Sequence, residues 1–293
     1  MTPKDNLRGI GLMTGSMALF AIEDMFLKFS TRVLPTGEIL LITCLIGMVF
    51  FSALAIAGGK PVLSRAALHP AVILRNAGEV IGTYAYITAL ASVPLATVSA
   101  VLQAMPLAVT LGAALFMGEK VGWRRWTAIT IGFAGVLIVI RPGMDGFRPA
   151  ALWVLVTVAG LGLRDLASRA VPPETSTSQL SAWGVIAVAI LGASMMPFQI
   201  AILPDLWQSA MLLGAVIFGS AGYWAITSAS RTGEVSVVSP FRYSRLIGAI
   251  LIGALVFTEY PDRMTLLGAA IIIGSGLYSF ARQRALSRSA APR

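Results

Sequence analysis

Cysteine, histidine and charge are all scarce in this 293-residue sequence. Cys44 and His69 are the only residues of their types, so an intrachain disulfide is impossible and a Cys/His metal site is essentially excluded. Charged residues make up 12% of the chain, whereas soluble domains carry about 25%. That shortage excludes a soluble globular class. The sequence also lacks a Walker loop, which excludes direct use of ATP, and nothing in it calls for a cofactor.

Apolar residues dominate instead, at 57% of the chain with a mean hydropathy of +0.82. A spanning helix needs about 20 consecutive apolar residues, and runs of this kind occur at 7–29, 36–58, 68–91, 95–117, 123–141, 148–170, 178–198, 206–229, 235–257 and 262–281. Short Pro- and Gly-containing turns separate them. These runs predict an all-α membrane protein with ten transmembrane helices in one membrane domain.

The two halves of the chain are related by an internal repeat. An offset of 140 residues superposes several identical pairs without a gap, including Ala85/Ala225, Ser99/Ser239 and Glu119/Glu259. In the first helix an offset of 141 places Asp24 on Asp165. We therefore predict two repeats of five helices, 1–145 and 146–293. Because five is odd, the second repeat enters from the opposite side of the membrane, which predicts an inverted-topology repeat suited to alternating access.

The net charge of +9 is explained by membrane topology. Lys and Arg concentrate in loops that lie on one side if both termini are cytoplasmic, so we predict an N-in/C-in orientation with anionic lipid nearby. No basic face of a soluble fold is present, which argues against nucleic acid as a partner.

The first apolar run lacks the small-x-small pattern of a signal-peptide cleavage site and has a counterpart in the second half, so we expect an uncleaved first helix. The sequence does not specify an oligomeric state, and a monomer is one option.

The segments that end each half carry a family resemblance. They are PLAVTLGAALFMGEKVGWRRWTAITIGFAGVLIVIRPG and RLIGAILIGALVFTEYPDRMTLLGAAIIIGSGLYSFARQR. An apolar helix ending in Glu119 or Glu259, followed by a short turn and a Gly-bearing helix, resembles the EamA-type repeat of the drug/metabolite transporter superfamily. The layout is most similar to the YddG-type aromatic amino acid exporters. The resemblance implies a multi-pass exporter of amino acids or related metabolites in the bacterial inner membrane.

Ionisable residues inside predicted spans are the first candidates for a binding site, because burying one costs at least about 2.5–3.5 kcal/mol. Glu79 lies near the middle of the third span, one turn after Arg75. It either meets a substrate ammonium or a proton, or forms a structural pair with Arg75. Arg242 and Arg245 share a face of the ninth span. They either bind a substrate carboxylate, reach the cytoplasmic interface, or pair with Glu79 or Asp165.

Matched polar faces occur in the fourth and ninth spans. Each consists of two residues four positions apart: Ser99 and Gln103, and their repeat partners Ser239 and Tyr243. An inverted repeat would bring both faces to the midplane, where such folds bind substrate. The alternative is ordinary hydrogen bonding between helices, about 0.6 kcal/mol each.

The repeat partners Tyr84 and Trp224 either wall a cavity or belong to the interfacial aromatic belt. Two one-turn pairs in corresponding helices, Asp24 with Lys28 and Asp165 with Arg169, are predicted to form opposite gates or else static anchors.

The function that these features favour is secondary export of a small metabolite, most directly an amino acid and possibly an aromatic one. A multidrug or organic cation exporter of the same fold is the alternative, although Arg242 and Arg245 favour zwitterionic or anionic cargo. An intramembrane enzyme is the remote alternative, because Gly219-Ser220-Ala221-Gly222 superficially resembles a nucleophile turn.

Overall fold

The computed structural model describes residues 3–119, 121–144, 146–232 and 234–290, and this part of the chain is helical and contains no β-strand. Hydrocarbon offers the backbone no hydrogen-bond partners, so apolar runs of this length form helices. The helices are α1 Pro3–Ser30, α2 Thr36–Ala57, α3 Pro70–Ser92, α4 Leu95–Leu102, α5 Met105–Phe116, α6 Trp123–Ile140, α7 Leu152–Ser168, α8 Thr177–Met195, α9 Leu206–Thr232, α10 Val235–Val238, α11 Ser244–Val256 and α12 Arg263–Ala290.

Every predicted span is helical, but two of the ten are not continuous helices. Within the described residues, eight segments are long and apolar enough to cross a bilayer. The third span, α3, has 23 residues but carries Arg75, Asn76 and Glu79. The fourth consists of α4 and α5, and the ninth of α10, a 3₁₀ segment over Ser239–Tyr243, and α11. The prediction of an all-α membrane fold is confirmed, and the count of ten spans is consistent with these helices. The fourth span remains one of the eight segments, with a turn at Gln103, whereas the ninth is divided into three short helical pieces.

The chain forms two compact units, each of which combines parts of both sequence repeats. Unit I contains Met1–Asp24, Val93–Ala151 and Ile217–Arg293, and unit II contains Met25–Ser92 and Leu152–Val216. The division into repeats at 1–145 and 146–293 therefore does not coincide with the packing units. The repeat boundary remains a proposal about how the sequence is organised.

Glycines allow close helix packing at corresponding places in the two units. In unit II, a Cβ on Gly82 of α3 would lie 2.7 Å from the Leu161 side chain of α7. In unit I, a Cβ on Gly222 of α9 would lie 3.1 Å from the Phe20 ring of α1, and Ser16 Oγ donates a hydrogen bond of 2.7 Å to the Gly222 carbonyl. Gly82 and Gly222 differ by 140 positions, and Phe20 and Leu161 by 141. The repeat therefore extends from sequence to contacts.

Unit II contains a second repeat-related pair of contacts, at the ends of α2 and α8. The Glu38 carboxylate accepts a hydrogen bond of 3.0 Å from the Ile202 N–H, and Gln179 Nε2 donates one of 2.7 Å to the Pro61 carbonyl. Each residue of the first contact lies 141 positions from its equivalent in the second. Because proline has no N–H, the second contact reverses donor and acceptor, with an amide in place of the carboxylate.

In unit I, α6 packs closely on α12, and a charged contact holds their ends together. A Cβ on Gly135 of α6 would lie 2.9 Å from the Gly268 carbonyl of α12. Asp262, just before α12, accepts a hydrogen bond of 2.8 Å from the Thr265 N–H and pairs with Arg141 at the end of α6. Partial burial raises the pKa of the Asp262 carboxyl, but the Thr265 N–H and the Arg141 guanidinium outweigh it and hold that pKa below its usual value.

We expect Asp262→Ala to lower the free energy of unfolding by about 1 kcal/mol at neutral pH, because α12 loses its N-terminal cap. Asp262→Asn should retain most of that amount, since an amide oxygen still accepts from Thr265 and an exposed ion pair contributes little. Because the pKa of the folded state is lowered, the carboxylate stabilises the fold above about pH 4 and loses that effect at lower pH. Thermal unfolding of purified protein at pH 7 and in acid measures both effects. Equal stability of wild type and Asp262→Ala at pH 7 would contradict the cap.

Candidate functional site

The fourth and ninth spans break at positions that the repeat relates. In the fourth span, α4 ends at Leu102 and α5 begins at Met105, with Gln103 at the break. In the ninth, the 3₁₀ segment ends at Tyr243 and α11 follows. Pro106 has no N–H, so the Leu102 carbonyl loses its donor from four residues later. Discontinuous helices with freed backbone groups are typical of binding sites in membrane transport folds.

The two breaks meet inside unit I. Gln103 Nε2 donates a hydrogen bond of 3.0 Å to the Tyr243 carbonyl, and both residues are buried. The Tyr243 ring extends to α12, where its hydroxyl occupies the space that a Cβ on Gly276 would need. We call Ser99, Gln103 and Tyr243 the unit I junction.

Two hydroxyl groups of the junction are buried without a partner. Ser99 Oγ and the Tyr243 hydroxyl make no hydrogen bond to any described residue, although Ser99 is only 2% exposed and Tyr243 7%. An unsatisfied buried group of this kind costs about 1–3 kcal/mol, and native proteins contain few of them. Ser239, the repeat partner of Ser99, is partly buried at the start of the 3₁₀ segment. The junction can thus supply donors and acceptors to a bound polar molecule.

Unit I also contains a charged cluster on α1 and α11. Arg245 binds Asp24 in a bidentate manner, with Nη2–Oδ1 at 2.8 Å and Nε–Oδ2 at 3.2 Å. Asp24 is 1% exposed, and the Arg245 guanidinium lies 5.4 Å from the Phe20 ring centre. The predicted carboxylate receptor therefore holds a carboxylate of the chain itself. Arg242 is exposed, and its part in substrate binding stays a prediction.

A second charged cluster lies between α3 and α7 in unit II. The Glu79 carboxylate binds Arg75 at 2.8 Å and Arg164 at 3.2 Å, and Arg164 also binds Asp165 at 2.8 Å. The spacing of Arg75 and Glu79 predicts their pair correctly. The Arg164 contact spans 85 residues, and the only signal for it is an arginine inside a predicted span.

The remaining predicted site residues lie in varied surroundings. The Tyr84 ring packs edge-on against Trp153, with ring centres 5.7 Å apart. Trp224 is 66% exposed on α9, outside the unit I junction, and its role in binding stays a prediction.

Of the predicted gate residues, Lys28 is buried and Arg169 exposed, while Asp24 and Asp165 bind the arginines described above. The gates therefore also stay a prediction.

The nucleophile-like tetrapeptide is no catalytic turn. Ser220 lies inside the continuous helix α9, so its side chain is not raised on the sharp strand-to-helix turn that a nucleophile elbow requires. The glycines on either side, Gly219 and Gly222, face Glu23 and Phe20 of α1. Their small size allows α9 to pack closely on α1, and the tetrapeptide resembles the enzyme motif in sequence only.

Comparison with known proteins gives consistent matches over nearly the whole chain. The model of the EamA-like transporter family matches residues 7–141 and again 148–280. An S-adenosylmethionine uptake transporter of Rickettsia conorii is 24% identical over 97% of both chains. A riboflavin transporter of Vibrio cholerae is 32% identical over 69% of this chain and 68% of its own. The pseudopaline exporter CntI of Pseudomonas aeruginosa is 22% identical over 90% of this chain and 93% of its own.

Solved structures are similar as well, among them one crystal structure. It superposes with a TM-score of 0.61 and covers 95% of this chain and 98% of its own at 20% identity, which shows the fold alone. The relatives named above carry substrates other than free aromatic amino acids. They support the superfamily but not the narrower likeness to YddG-type exporters.

Proposed function

The chain belongs to the EamA-like transporter family, and from that premise we propose that it carries a polar metabolite that combines a nitrogen heterocycle with hydroxyl or zwitterionic groups. It is a multi-pass transporter of a bacterial inner membrane and not an enzyme. The proposed cargo class is wider than the amino acids predicted from sequence.

The chemistry of the relatives' substrates supports this class. S-adenosylmethionine and riboflavin, the cargoes in the names of two relatives, each join a fused nitrogen heterocycle to a hydroxylated five-carbon unit. S-adenosylmethionine also has an amino acid head, which keeps part of the sequence-based prediction. One relative is named for uptake and another for export. Export by alternating access remains our proposal for direction and mechanism.

The observation that carries the proposal is the pair of unpartnered hydroxyls in the unit I junction. Ser99 Oγ and the Tyr243 hydroxyl are buried and make no hydrogen bond to a described residue. A cargo with hydroxyl and ring-nitrogen groups can hydrogen-bond to both. A purely apolar cation would leave them unsatisfied, so the junction favours a polar metabolite over the organic cation alternative.

We expect Tyr243→Phe to slow transport about 2- to 10-fold, the equivalent of one neutral hydrogen bond of about 0.5–1.5 kcal/mol. Its thermal stability should equal or exceed that of wild type, because the hydroxyl has no partner to lose. The measurement is initial uptake into proteoliposomes of labelled S-adenosylmethionine, riboflavin, tryptophan and tetraphenylphosphonium.

Tyr278→Phe is the matched control, since Tyr278 is 48% exposed on α12 and should leave transport unchanged. Equal rates for Tyr243→Phe and wild type would contradict a role for the junction. Transport of tetraphenylphosphonium alone would support the cation exporter instead, and transport of tryptophan alone would restore the amino acid prediction.

A further inference from the structure

Glu23 carries a carboxylate that makes no hydrogen bond or ion pair within the described chain. It lies on α1, and its Oε1 occupies the space that a Cβ on Gly219 of α9 would need. Across the part of the chain that the structure describes, no hydrogen bond or ion pair reaches its oxygens. The Glu23 side chain is only partly buried.

The helices around Glu23 bring few charges to it. On α1 its neighbour is Asp24, and from α11 Arg245 approaches, but Arg245 binds Asp24 with two nitrogens. The facing helix α9 has no Asp, Glu, Lys or Arg over 206–230, and Tyr223 is its only titratable residue there. Lys28, one turn beyond Asp24 on α1, is buried as well. The two-nitrogen contact of Arg245 is made with Asp24 and not with Glu23.

The equivalent cluster in unit II is balanced. There Glu79 and Asp165 face Arg75 and Arg164, so two acidic groups meet two basic ones. Arg164 occupies the position that Glu23 has in the other repeat, 141 residues away. Thus one repeat has a cation at the position where the other has an anion. The two arginines bound to Glu79 stabilise its charged carboxylate.

A carboxylate that makes no ion pair within a span costs at least about 2.5–3.5 kcal/mol, and binding a proton removes that charge. We propose that Glu23 is the carboxylate that carries a proton during the transport cycle. A proton from water on one side joins a carboxylate oxygen to give the neutral acid, and it leaves to water on the other side. This inference rests on the proposed transport function, and it replaces Glu79 as the predicted proton carrier.

Labelling with dicyclohexylcarbodiimide, which reacts with protonated carboxyl groups in apolar surroundings, tests the proposal without any substrate. Wild-type protein in detergent is treated across a range of pH, and the modified residue is located by mass spectrometry. We expect labelling at Glu23 that declines as pH rises, with Glu79 unmodified. Labelling of Glu79 with none at Glu23, or no labelled carboxyl at all, would overturn the assignment.

Transport in proteoliposomes tests the coupling. Glu23→Gln should abolish the response of S-adenosylmethionine or riboflavin transport to an imposed pH gradient and retain exchange of labelled for unlabelled cargo. Glu23→Asp should restore part of the response, and Glu174→Gln, a change at an exposed residue, should leave it unchanged. A normal pH response in Glu23→Gln would overturn the proposal. If wild type moves neither cargo, the cargo class fails, and the labelling alone decides the role of Glu23.

Discussion

Replacing Gly160 with alanine should separate α7 from α3 and destabilise the protein by about 3 kcal/mol or more, at the upper end of the cost of overpacking. A Cβ on Gly160 would lie 2.6 Å from the Gly82 nitrogen, 2.8 Å from its Cα and 3.0 Å from the Gly78 carbonyl. All three atoms belong to the backbone of α3. No rotamer change can relieve these contacts, so the helices themselves must move.

Gly162 provides the matched control on the same helix. A Cβ at that position meets nothing within 4 Å, so Gly162→Ala should be neutral or gain about 0.5–1 kcal/mol from helix propensity. Thermal unfolding in detergent and the yield of monodisperse protein distinguish the two variants. Equal melting temperatures for Gly160→Ala and Gly162→Ala would show that the close approach of α3 and α7 is not required.

Glu79→Gln should cost about 3 kcal/mol, the lower end for breaking a buried ion pair, because it leaves the buried Arg75 and the partly buried Arg164 without their shared anion. Arg75 and Arg164 both bind this carboxylate, and the side chains of Glu79 and Arg75 are 17% and 10% exposed. Loss of one partner of a buried pair is more harmful than loss of both. We therefore expect Glu79→Gln/Arg164→Gln to recover a large part of the stability that the single variant loses.

Thermal unfolding of the two variants beside wild type and Glu174→Gln measures this coupling. A single variant as stable as wild type would mean that water or lipid solvates the arginines. The single variant Arg164→Gln completes the cycle, because Arg164 also binds Asp165. Losses that add in the double variant would mean that the Glu79–Arg164 pairing contributes nothing.

Most helix positions could be predicted from sequence because a bilayer leaves the backbone few options. The predicted run 36–58 became Thr36–Ala57, and 123–141 became Trp123–Ile140. The repeat offset also singled out Gln103 and Tyr243, which the structure joins by a hydrogen bond. Local spacing was enough for Arg75 with Glu79, one turn apart on one helix.

Other features depend on tertiary contacts that no local pattern contains. The run 95–117 contains no charged residue, so hydropathy does not distinguish α4 and α5 from one helix, although Pro106 marks the break. Arg245 pairs with Asp24 across 221 residues, and neither residue's neighbours in sequence indicate that choice. The aromatic side chain of Trp224 would suit the wall of a cavity, yet two-thirds of its surface is exposed.

The interleaving of the two compact units has a consequence for how the protein is made. When the ribosome has synthesised the first 151 residues, α2 and α3 still lack α8 and α7, the helices on which they pack. The N-terminal helix α1 lacks its packing partner for even longer, because Phe20 and Glu23 pack on glycines of α9, which is synthesised after α7 and α8. The nascent first half must therefore persist in the membrane with unpaired helix faces, and its assembly completes only after the second half has been inserted.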